Sequence, residues 1–242
     1  MSKIEVAFPA DVQGRILSGL QDNSFSRIKL EDLITRGVDD PMLKALQKRL
    51  PPGAWVAGGC FESLIRGEKP KDYDIFFQNE EAFMETLQRL TVRKDVSGQF
   101  EEEDEVQEPA TQYKVSNVNP EKMRTSSCRF VDLHREGCPK VQLIKTMWYP
   151  SLAHVLHSFD FTAAQIGMDK EGVVLNPLAV LDISRKRLVL SRMTFPSSTL
   201  RRMIKYTQKG YYACPGSLQV IAQATADTLQ KAPDAVGPVY VD

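Results

Sequence analysis

"WVAGGCFESLIRGEKPKDYDIFF", residues 55–77, decides the fold. The stretch opens with a short apolar run that ends in two glycines, Gly58 and Gly59. It closes with a second apolar run that carries Asp72 and Asp74. Aspartate is depleted from strands, so two of them in "DYDIFF" need a reason other than packing. Residues two apart on a strand share a face, which sets Asp72 beside Asp74 while Tyr73 and Ile75 turn to the core. Such a pair repels unless a cation lies between its members. Mg2+ takes a few carboxylate oxygens together with substrate phosphates, and metal ions clamp the attacking and leaving oxygens of phosphoryl transfer. A Gly-Gly turn lets the backbone approach a triphosphate, the following helix start directs N–H groups at the anion, and Lys71 adds a charge nearby.

Working outward, "AWVAGG" predicts a buried strand running into the turn, and "CFESLIRG" a helix stopped by Gly67. "NEEAFMETLQRL" predicts a helix capped by Asn79. Strand, helix, strand, helix implies a mixed α/β (α+β) domain. Residues 1–50 read as a helical segment, from the three- and four-residue apolar spacings of "PADVQGRILSGL" and "DDPMLKALQKRL". "SCRFVDL" and "KVQLIKTMW" flank "HREGCP" as a hairpin. "PSLAHVLHSF" predicts a helix, and "DFTAAQIGMD" a strand leading to the turn "KEG". The expected division is a helical segment 1–50, a nucleotide-handling domain 51–182 and a basic helical segment 183–242.

The chain of 242 residues has 31 basic and 31 acidic residues, so the total charge predicts neither bulk nucleic-acid attraction nor a membrane surface. The charge is instead local. "EEEDEVQE" at 101–108 is acidic, and reads as a solvated loop. Between Ile183 and Ile221 stand Arg185, Lys186, Arg187, Arg192, Arg201, Arg202, Lys205 and Lys209 with no acid, a pattern that suits phosphate or RNA contact or a solvated helix face. No stretch approaches the roughly 20 apolar residues of a membrane span. Four cysteines without a CxxC pair, and an N-terminus without a secretory apolar core, give the expectation of a reduced, cytoplasmic protein. His154 and His157 lack the acids or cysteines of a zinc site, and Cys128, His134 and Cys138 lack a fourth ligand.

"GGCFESLIRGEKPKDYD" resembles the signature of the DNA polymerase β-like nucleotidyltransferases, most closely the class II CCA-adding enzymes and bacterial poly(A) polymerases. "FDFTAAQIGMDKEGVVLNPLAVLDI" is similar to that family's Asp-Phe-Thr strand and the segment after it, and "STLRRMIKYTQKGY" to its neck helix. The resemblance spans about residues 50–212, with a poor match from 91 to 128. It implies a nucleotidyltransferase-fold mixed sheet with flanking helices and a helical C-terminal neck. It places Gly58 and Gly59 at the nucleotide phosphates, Asp72 and Asp74 as ligands of Mg2+ or Mn2+, Arg202 and Arg201 at the incoming nucleotide, and Asp160 among the catalytic acids. The implied reaction moves a nucleoside monophosphate from an NTP to an RNA 3′ end, with tRNA a candidate, and releases pyrophosphate.

Three departures stand out. Glu62 and Ser63 replace the family's Arg-Asp, Ser158 and Phe159 replace an arginine pair, and Gln142 occupies the position nearest the usual third acid, which leaves Asp132 or Asp160 to supply it. These keep open a catalytically impaired module that binds nucleotide, RNA or a protein partner. A transferase acting on a protein hydroxyl, and a purely structural protein, stay open as well. In compactness the chain resembles the short nucleotidyltransferase-fold proteins of phages and large DNA viruses.

Overall fold

A computed structural model describes residues 25–34, 40–91, 113–116 and 129–231. The helix expected at 9–20, the acidic run 101–108 and Cys128 lie outside the described residues. The described strands are β1 (Ser26–Ile28), β2 (Ala54–Ala57), β3 (Asp72–Phe77), β4 (Lys114–Val115), β5 (Phe130–His134), β6 (Lys140–Trp148), β7 (Ile166–Asp169) and β8 (Gly172–Leu175). They form one mixed sheet in the order β1-β8-β7-β2-β3-β6-β5-β4. β3 and β6 run parallel and every other neighbouring pair is antiparallel.

The helices are α1 (Leu30–Ile34), α2 (Pro41–Arg49), α3 (Gly59–Ile65), α4 (Glu80–Thr91), α5 (Leu152–Ser158), α6 (Pro177–Ser184), α7 (Pro196–Gln208) and α8 (Pro215–Lys231). Short polar residues start several of them. Asp40 accepts from the Met42 and Leu43 N–H groups at 2.9 and 3.1 Å, Asn79 from Ala82 at 2.9 Å, and Asn176 from Leu178 at 2.9 Å. β9 (Arg187–Leu188) and β10 (Tyr212–Ala213) form a separate parallel pair that ties the end of α7 back to the segment after α6.

The alternation of β3 separates two environments. Tyr73, Ile75 and Phe77 are fully buried in one core with Val56, Phe61, Phe83, Leu43, Leu46, Val141 and Leu143. Each such side chain stabilises the fold by about 1.5–3 kcal/mol. Phe76 faces the other side, where α5 lays Leu152, Val155 and Leu156 over Trp55 and Ala57. Asp72 and Asp74 share the Phe76 face.

The mixed α/β reading holds, and so does the β5–β6 hairpin. Two expectations are corrected. Within residues 1–50, Ser26–Ile28 is a strand paired with β8, because Ser26 and Ile28 are buried while Arg27 points out to Asp169 at 2.5 and 2.7 Å. "DFTAA" is not continuous strand: Thr162–Ala164 forms a 3-10 turn and the strand begins at Ile166. The Thr162 hydroxyl bonds the buried Asp182 carboxylate, which fixes that turn against α6.

Candidate functional site

The site begins with strand register. Ala57 pairs with Asp74 across the antiparallel β2–β3 ladder, so the Gly58–Gly59 turn leaves β2 at the end where β3 enters with Asp72. Gly58 has φ 97° and ψ −138°, a conformation that favours glycine, and its N–H donates to the Ile166 carbonyl at 3.0 Å. A Cβ on Gly58 would touch the Phe159 ring at 3.6 Å, whereas one on Gly59 would meet nothing within 4 Å. Gly58 therefore answers a backbone demand, while Gly59 leaves the start of α3 uncovered.

Asp72 and Asp74 are half-buried on β3. Next to Asp74 in the parallel register is Gln142, and next to Gln142 is Asp132. The Gln142 amide donates to Asp132 at 2.7 Å, and the Lys140 ammonium stands 3.8 Å from the same carboxylate. Asp160 is buried and forms an ion pair with Arg202. Among the described residues no group of three or more His, Cys, Asp or Glu side chains converges as a metal site, so neither Asp132 nor Asp160 completes a triad with Asp72 and Asp74. Mg2+ is commonly held by one or two carboxylates plus substrate phosphates, so the pair on β3 fits an ion that arrives with a nucleotide. Burial, and then the charges of Asp74 and Asp72, push the Cys60 thiol well up, which keeps it protonated beside them. Lys71 is exposed just before Asp72.

The basic segment divides in two. Arg187 bonds Asp182 at 2.6 Å, Arg202 pairs with Asp160, and the Lys209 ammonium lies 2.7 Å from Glu62, all three acids being buried. Arg185, Lys186, Arg192, Arg201 and Lys205 are exposed. Glu62 also accepts from Arg66 at 2.7 Å and from the Tyr211 hydroxyl at 2.9 Å. Burial would raise its pKa, but the bonds from Lys209 and Arg66 prevail and hold its carboxyl below the ordinary 4.5. His154 bonds Ser151 at 2.8 Å and the His157 ring meets Phe25 edge to face, so both histidines have protein partners.

A family model described as "Gabija anti-defense 2 family protein" matches residues 20–186 of the 242. The chain belongs to the Gabija anti-defense 2 family. The match includes both β2 and β3, so the glycine turn and the Asp pair lie inside the part this family shares. A search of the curated proteins finds no match. Among solved structures, the chain is similar to a CCA-adding enzyme in complex with CTP, at 15% identity and TM-score 0.58, over 86% of this chain and 48% of that one. It is similar as well to the Thermotoga maritima CCA-adding enzyme complexed with tRNA, at 15% identity and TM-score 0.55, over 86% and 47%. A tRNA-processing enzyme matches at 14% identity and TM-score 0.53, over 85% and 50%. The chain thus spans about half the length of these structures, and the likeness is one of fold: this Gabija anti-defense 2 family protein has a nucleotidyltransferase-like fold.

The buried acids Glu62, Asp182 and Asp40 escape a sequence reading of the site. Their partners are Lys209 and Tyr211, Arg187 and Thr162, and Tyr73. For Glu62 one signal is present: an acid on an otherwise apolar helix face, with Arg66 one turn later.

Proposed function

We propose that this protein is a metal-dependent nucleotidyltransferase that moves a nucleoside monophosphate from an NTP to a hydroxyl acceptor and releases pyrophosphate, and that its family uses the transfer against the Gabija defence. The observation that carries the proposal is the register that puts Asp72 and Asp74 beside the Gly58–Gly59 turn. In this reading the turn receives the triphosphate, with Lys71, Arg201 and Arg202 adding positive charge. Asp72 and Asp74 hold Mg2+ or Mn2+, which neutralises phosphate charge when bound. The protein's part is positioning and electrostatic stabilisation, as in other phosphoryl transfers. Asp160 orients Arg202. The acceptor is an RNA 3′ end, in keeping with the similarity of fold to a tRNA-bound CCA-adding enzyme and a tRNA-processing enzyme.

A second reading, a binding module with impaired chemistry, is favoured by one observation: Gln142 occupies the strand position between Asp74 and Asp132. The test incubates the protein with each α-labelled NTP, Mg2+ or Mn2+, and either total RNA or the proteins of a Gabija defence, then resolves labelled RNA from labelled protein. Label on RNA that vanishes in Asp72→Ala and Asp74→Ala supports the reading as stated. Label on protein moves the acceptor to a protein hydroxyl. No label, with nucleotide still bound, favours the second reading.

A further inference from the structure

Glu62 lies on the first turn of α3, three residues after Gly59, and its side chain is wholly buried. A buried carboxylate is tolerated when it is paired and its lone pairs are used. Arg66, one turn along the same helix, would supply local pairing. The other two partners come from 147 and 149 residues away: Lys209 on Oε2 and the Tyr211 hydroxyl on Oε1.

Both arrive from the end of α7, and the local geometry explains how they are aimed. The Gly210 N–H donates to Thr207 at 2.9 Å and the Tyr211 N–H to Tyr206 at 3.0 Å, which is a Schellman motif with Gly210 at φ 84°. Its accompanying side-chain contact is the edge-to-face pair of Tyr206 and Tyr211, 5.1 Å between ring centroids. Arg202 and Tyr206 on α7 and Lys209 at its C-terminal cap, spaced four and three residues, fall on one side of the helix. Arg202 meets Asp160, Tyr206 meets Phe161 at 5.8 Å, and Lys209 meets Glu62. The helix is seated at three points along about two turns.

We infer that Glu62 is a positioning residue: through Lys209 and Tyr211 it latches α7 onto α3, and so holds Arg201 and Arg202 at a fixed place relative to the glycine turn and the Asp72–Asp74 pair. The kinetic consequence rests on the proposed transfer; the latch does not. The test compares the full chain with Glu62→Gln, Lys209→Met, Tyr211→Phe and the conservative Lys209→Arg. Amide hydrogen exchange is followed at residues 200–211 and in β2 and β3, alongside KM and kcat for the NTP. Losing a charge-assisted bond is expected to speed exchange at 200–211 by about ten-fold or more. Exchange in β2 and β3 should hold, KM should rise more than kcat falls, and Lys209→Arg should stay near the parent. Unchanged exchange at 200–211 in both Glu62→Gln and Lys209→Met overturns the latch. Exchange that rises equally in β2 and β3 also overturns it, leaving Glu62 a general stability residue. Should the parent show no transfer and no nucleotide binding, the proposed function fails while the exchange pattern still decides the latch.

Discussion

At the scale of single residues, Glu62 carries a pH dependence whose sign follows from its environment. Its folded pKa lies below the ordinary 4.5, so the stability it contributes is complete above that value and is lost as pH falls through the folded one. Asp169 is held low in the same way, with the Arg27 hydrogen bonds outweighing burial, so the parent's acid sensitivity has more than one source. The difference between parent and Glu62→Gln isolates the first. At pH 7 the variant is expected to lose about 2–3 kcal/mol, because Lys209 and Arg66 keep their charges without a full counter-charge. The stability gap between the two should start to narrow as pH falls below 4.5 and close only below the folded pKa. Urea unfolding in a pH series running down from 7 follows the gap, and one that stays constant throughout would separate Glu62 from the acid transition.

At the scale of elements, two turns in left-handed backbone give opposite expectations. Gly210 closes α7 at φ 84°, and a Cβ there would come within 3.3 Å of the flexible Lys186 ammonium, so the backbone sets the cost. Lys186, after α6, holds φ 50° with a side chain. Gly210→Ala should cost about 1 kcal/mol, while Lys186→Gly should recover up to about 1 kcal/mol, both read from the urea midpoint. The same scale shows what the sequence disclosed. Helices α2, α3, α4, α5 and α7 and strands β2, β3, β5 and β6 were legible because apolar periods and Gly, Pro or Asn boundaries are local signals. β1 was not, since three residues bear too short an alternation to register, and its partner β8 lies almost the whole domain away. The two-residue strands β4, β9 and β10 fail for the same reason. The glycine turn and the Asp pair were legible by spacing, whereas the task of Glu62 is defined by Lys209 and Tyr211, contacts that no local pattern announces.

For the whole molecule, a formal charge of zero conceals an ordered distribution. Arg187, Arg202 and Lys209 neutralise buried acids on α6, after α5 and on α3, while Arg185, Lys186, Arg192, Arg201 and Lys205 are exposed. A single-stranded RNA held by these five should show a slope of log affinity against log salt of about −3.5, and a much steeper slope would place additional cations elsewhere in the interface. The nucleotide, in contrast, should act through the sheet. Anything that binds the folded state alone raises stability by mass action, about 2.7 kcal/mol at a hundred times Kd. The combination of NTP and Mg2+ should therefore raise the melting temperature of the parent by several degrees, more than either component alone. In Asp72→Ala with Asp74→Ala the metal-dependent part should vanish while any metal-independent part at the glycine turn persists, because the turn is built from β2, β7 and the backbone of Gly58 rather than from the carboxylates. A metal-dependent shift retained in the double variant would move the ion away from β3, and with it the chemistry assigned there.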